Sequence, residues 1–89
     1  MRVWEYDLQL KDTQEVEIPK GSQLLTVIVR DAIPRLCVLA DPNCFEGTKR
    51  VIHIVDIGDV PKNSDYLATF RPEPGGHGIS HVFVEPECK

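Results

Sequence analysis

Residues 71 to 81 hold the densest set of side chains that could do chemistry in this 89-residue chain. Pro74-Gly75-Gly76-His77-Gly78 is a glycine-rich loop, preceded by Arg71 and followed by His81. Glycine lets backbone approach a ligand closely, and successive N–H groups in such a turn can converge on an anion. Arg71 could grip a phosphate bidentately at any cellular pH, and a histidine adds charge below about pH 6.5. Lys49-Arg50, the longest basic run, could complete the set. Arg71, Gly75, Gly76, His77, His81, Lys49 and Arg50 are therefore the expected contacts for a small anionic, nucleotide-like ligand. The spacing is not that of a nucleotide-hydrolase phosphate loop, which ends in Lys and Ser or Thr at a helix start. A plainer reading makes the same residues a hairpin connection, which glycine and proline favour unaided.

Metal chemistry and nucleophilic catalysis find less support. His53, His77 and His81 have no Cys-x-x-Cys or His-Glu-x-x-His spacing around them, so no metal site is expected. His53 and His81 read as hydrogen-bonded residues on strand faces. Cys37 lies between Leu36 and Val38, where a thiol behaves as a small buried hydrophobe. Cys44 falls in a loop and Cys88 in the tail, neither beside a base. No Gly-x-Ser-x-Gly elbow is present. A chain of this size has little room for a substrate pocket of several hundred Å³ or about that scale. No enzyme activity and no cofactor are expected.

Acidic residues give a second candidate surface. Glu5, Asp7, Asp12, Glu15 and Glu17 come from two neighbouring segments expected to form a hairpin, and would share an acidic face. Such a face can imitate nucleic-acid phosphates or meet a basic groove on a protein. It can equally be the solvated side of a sheet. The formal charge is −4, from 14 acidic and 10 basic residues. That balance argues against binding a nucleic-acid polymer and suits a basic protein or a small ligand.

The elements that must position these residues are strands. Apolar and polar residues alternate with period two in Val3–Leu8 and Glu15–Ile18. Gln23–Arg30, Arg35–Ala40 and Lys49–Ile57 are richer, β-branched runs. Asp65–Arg71 and Ile79–Glu85 complete the set, with turn signals at Pro19-Lys20-Gly21-Ser22, Asp31-Ala32-Ile33-Pro34 and Asp41-Pro42-Asn43. No segment has a sustained helical period. The expectation is one mainly β domain over residues 1–89, a small antiparallel β-sandwich or partly closed barrel of about seven short strands. Trp4, Tyr6, Leu25, Val27, Val29, Leu36, Val38, Ile52, Ile54, Phe70 and Phe83 are the expected core. No run of about 18 apolar residues could cross a membrane as a helix. The start has no apolar leader segment and the cysteine number is odd, which points to a reducing cytosol. A chain this short buries only about 60% of its unfolded surface or a little more, so self-association is the expected reinforcement.

Read in order, the elements resemble a known family. An aromatic first strand, WEYDL, leads to IPKG before an apolar strand; a second strand ends in LADP; IGDVP, YLATF and a terminal HVFVE follow. This order and spacing is similar to that of a family of small proteins of unestablished function encoded by phages and prophages. The likeness covers nearly the whole chain. It departs at Cys37, where members often carry tryptophan. It departs again at Asp56-Ile57-Gly58, often Gly-Thr-Gly, and at Ala68-Thr69-Phe70, often Gly-Thr-Phe. The family supplies no catalytic residues. The resemblance implies a phage-type accessory protein in a host bacterial cytoplasm, and such proteins commonly antagonise host defence. Three functions follow as expectations. The chain could be an oligomer that sequesters a small anionic ligand between subunits. It could be an anti-CRISPR-like inhibitor that docks its acidic hairpin on a basic host effector. Or it could be a structural or virion accessory module that works by strand pairing.

Overall fold

The computed structural model describes residues 1–72 and 78–87. Seven strands form among them: β1 (Arg2–Asp7), β2 (Thr13–Pro19), β3 (Gln23–Arg30), β4 (Ile33–Ala40), β5 (Gly47–Val55), β6 (Asp65–Phe70) and β7 (Ser80–Val84). All pairings are antiparallel. A three-stranded sheet has the order β1-β4-β3, and a four-stranded sheet has the order β2-β5-β7-β6. The two sheets pack as a β-sandwich, with no closed barrel. No helix among the described residues is long and apolar enough to cross a membrane.

The period-two pattern decides which side of each strand faces inward. Leu36, Val38 and Ala40 of β4 and Val27 of β3 cover the inner face of the three-stranded sheet. Ile18, Ile52, Ile54, Val82, Val84, Ala68 and Phe70 cover that of the four-stranded sheet. Together with Leu8 they form one continuous core. Each buried Leu, Ile, Val or Phe side chain among them stabilises the fold by roughly 1.5–3 kcal/mol relative to exposure. β4 is central because Leu36, Cys37 and Val38 are buried in succession, which needs cover on both faces. On its outer face Glu5 lies across from Cys37. The Glu5 carboxylate accepts Arg30 Nη1 at 2.8 and 2.9 Å, an ion pair that spans β4 from β1 to β3.

Three expectations need correction. β1 and β2 do not form a hairpin: β1 pairs with β4 and β2 with β5, in different sheets. Leu8, 4% exposed, enters the core between them, so the chain crosses from one layer to the other. Leu25 is 39% exposed rather than buried, because a β-bulge between Leu24 and Thr26 turns it outward. Phe83 lies on the outer face of the four-stranded sheet, its ring edge-on to Tyr66 with centroids 5.9 Å apart.

The β3–β4 hairpin turns on Asp31 and Ala32 alone, since Arg30 pairs directly with Ile33. Both turn residues have positive φ, 55° and 63°. That is the backbone of a type I′ turn, whose twist matches the strands it joins.

Candidate functional site

Carboxylates gather where the sandwich is open. One groove of about 360 Å³ runs along Gln14–Glu17 of β2 and meets Tyr6 and Asp7 of β1. Its charged lining is Asp7, Glu15 and Glu17, with Lys11 at one side. Each is exposed. Tyr6 and Val16 form its floor and pack against the core. Burial pushes the Tyr6 hydroxyl above its ordinary pKa. Gln14 closes one end: its amide accepts from Gln9 N at 3.0 Å and donates to Gln9 O at 2.7 Å, pinning the segment that joins β1 to β2. Glu17 lies over Gly47, where an added Cβ would sit 2.7 Å from its Oε1.

A larger open cleft of about 560 Å³ lies at the end of the four-stranded sheet. Asp12, Asp56 and Asp59 line it, with Lys11, His53 and Ser80. Ser80 is buried and donates to Asp56 Oδ1 at 2.7 Å, so the loop after β5 is tied to the start of β7. The pattern places Asp56 in a strand over Lys49–Ile57, but β5 ends at Val55, so Asp56 and Asp59 both stand in the irregular segment beyond it. Among the described residues no group of three or more His, Cys, Asp or Glu side chains is arranged to hold a metal ion.

The five acidic residues expected on one face are thus divided. Glu5 is tied to Arg30 on the outside of the three-stranded sheet. Asp12 lines the end cleft. Asp7, Glu15 and Glu17 line the groove between the β1 and β2 edges, Asp7 from one side and the two glutamates from the other, although the strands never pair. Asp7 approaches Arg35, whose side chain is mostly covered, at 3.4 Å, and Glu15 approaches Lys49 at 4.0 Å in solvent, where such a pair contributes little.

The expected cationic contacts are divided as well. Lys49 projects from the outer face of β5 toward Glu15. Arg50 points to the other side of that strand, where Nε and Nη2 donate to Glu85 O at 3.3 and 3.1 Å. His81 is on the outer sheet face, its Nδ1 2.9 Å from Thr69 Oγ1. Arg71 is exposed just beyond β6. Gly75, Gly76 and His77 lie outside the described residues. His53 is half-buried between Thr13 Oγ1 at 3.1 Å and Glu85 Oε2 at 2.7 Å. It therefore joins β2, β5 and the segment after β7, as a hydrogen-bonded strand histidine does.

Cys37 has a thiol raised first by burial and then by Glu5, with Arg30 opposing. A raised thiol is poorly nucleophilic. Cys44 is half-buried in the β4–β5 connection, its Sγ 3.6 Å from the carbonyls of Lys20 and Glu46.

No curated protein and no solved structure matches this chain. A family model does match, over residues 1–89, and the chain belongs to that family, described as a domain of unknown function, DUF7352.

Proposed function

We propose that the chain is a binding module, not an enzyme, whose acidic open edge recognises a basic protein partner. The observation that supports this reading is the groove between the β1 and β2 edges, whose rims carry Asp7 on one strand and Glu15 and Glu17 on the other, beside Tyr6 and Val16. Like-signed charge around a partly apolar floor steers a basic surface and then gives it something to bury. The described members of the expected anion set fall in separate places: Lys49 and Arg50 take opposite sides of β5, while Arg71 and His81 lie together at the end of the β6–β7 pair. In the context implied by the phage resemblance, the partner is a basic effector of host defence and the chain its antagonist in the bacterial cytoplasm. Self-association through another surface is part of the proposal, because a small core benefits from added burial.

A fluorescent lysine-rich peptide tests the reading by anisotropy at low and high salt. Binding should weaken with salt and be lost in the double variant Glu15→Lys/Glu17→Lys. A peptide that does not bind at low salt, or binds the charge-reversed protein equally well, refutes it. Thermal stabilisation by a nucleotide would favour the anionic-ligand function instead.

A further inference from the structure

We infer that β2 is an acceptor edge, and that the partner adds an extended segment to it in which basic and apolar residues alternate. The inference rests on the acidic-edge reading above and specifies its mode. Four strands lie at sheet edges, and they are not alike. β3 and β6 both carry a register irregularity, at Leu24/Thr26 and at Tyr66/Ala68, and the two lie alongside each other. Bulges and mutual cover are the devices by which proteins close an edge to further pairing. β1 and β2 have neither. Their registers run without a break, from Arg2↔Ala40 to Asp7↔Arg35 and from Thr13↔His53 to Pro19↔Gly47. Among the described residues β5 is the one strand partner of β2.

The bonding pattern identifies which backbone groups of β2 are free. Ile54 N donates to Asp12 O and Lys20 N donates to Glu46 O. These bonds flank the Thr13↔His53 and Pro19↔Gly47 pairs, so both are non-hydrogen-bonded pairs. By alternation Gln14, Val16 and Ile18 bond to β5, while Thr13, Glu15 and Glu17 direct their N–H and C=O groups away from it. Pro19 falls at an outward position too, where its missing N–H costs no bond to β5. Two of the three residues that offer free backbone, Glu15 and Glu17, therefore also carry carboxylates. β2 also supplies four consecutive residues to the groove, Gln14–Glu17, against two from β1.

A strand laid on this edge has its own alternation. Side chains on the outer side run beside Glu15 and Glu17, where Lys or Arg is matched across the strands. Side chains on the inner side meet Val16 and Tyr6, where an apolar residue completes the core. A second copy of β2 would oppose glutamate to glutamate, which is unfavourable.

Three synthetic peptides of identical composition and charge separate the mode from the reading. One alternates Lys and Val, one has them in blocks, and one is the alternating peptide N-methylated at every second amide on its pairing edge. The protein is unchanged throughout, so folding of a variant is not at issue. The alternating peptide should bind best, and N-methylation should weaken it by about tenfold or more, as expected for lost backbone hydrogen bonds. Equal affinity for all three overturns strand addition but leaves the basic-partner reading intact. Failure of every lysine peptide to bind at low salt overturns both. Concentration-dependent dimerisation lost in Glu15→Lys/Glu17→Lys, with no peptide binding, would assign the edge to a second copy and overturn the inference.

Discussion

Replacing Ala32 by glycine should stabilise the protein, although it removes a side chain. Ala32 has φ 63° in a turn of two residues, and Asp31 beside it has φ 55°. The left-handed region costs a residue with a Cβ roughly 1–2 kcal/mol, and glycine pays none of it. Glycine instead loses more chain entropy on folding, about 0.5–1 kcal/mol. The net gain is about 0.5–1 kcal/mol. For a domain of this size each kcal/mol moves the melting temperature by roughly 4–8 °C, so the rise should be about 2–8 °C. Asp-Gly is also the preferred pair for this turn. Circular dichroism melts measure the shift, and urea unfolding should show a higher midpoint at an unchanged slope. Ala32→Val is the opposing control, because a β-branched residue resists this backbone and should lower the midpoint. An unchanged or lowered melting temperature in Ala32→Gly, or a harmless Ala32→Val, refutes the left-handed turn. It would also weaken the placement of Arg30, the residue before the turn and the partner of Glu5 across β4.

Two further outcomes are expected. Cys37 is raised mainly by burial, so the folded protein holds this proton more tightly than the unfolded chain. Its contribution is intact below the unfolded thiol value of about 8.5 and is lost as pH rises through the higher folded value. Melting temperature should therefore fall more steeply at alkaline pH in the wild type than in Cys37→Val, and thiol reagents should modify Cys37 slowly at neutral pH; identical alkaline profiles or fast modification would contradict this. Light scattering at micromolar concentration should give a symmetric dimer or higher assembly, and a monomer would remove self-association from the proposal.

Much of this molecule is legible in its sequence because a strand is a local object. Alternation in Val3–Leu8 and the β-branched run Gln23–Arg30 fall within a residue or two of β1 and β3. Asp31-Ala32-Ile33-Pro34 was readable as a reversal, although Ile33 and Pro34 belong to β4, and Ile52 and Ile54 were readable as core, since neighbouring residues carry that information. Boundaries shifted where pairing, not composition, decides them: β5 starts at Gly47 because Pro19 stands across from it.

Partner choice is a different kind of property. The patterns of β1 and β2 are compatible with a hairpin, and nothing local forbids one. What prevents it is the need of β4 for cover on both sides and the burial of Leu8 in the layer crossing. The same non-local competition decided the candidate site. Glu5, Asp7, Asp12, Glu15 and Glu17 were recognisable as an acidic set, yet only the tertiary fold separated Glu5 and Asp12 from the three that line the groove. It also turned Leu25 outward through a bulge, and it sent Arg50 and Lys49, adjacent in sequence, to opposite sides of β5. Composition and period determine that there are strands and which side of each is apolar. Which edges are left free, and which charges stand along them, is decided when the strands compete for partners, because that energy is shared among residues far apart in the chain.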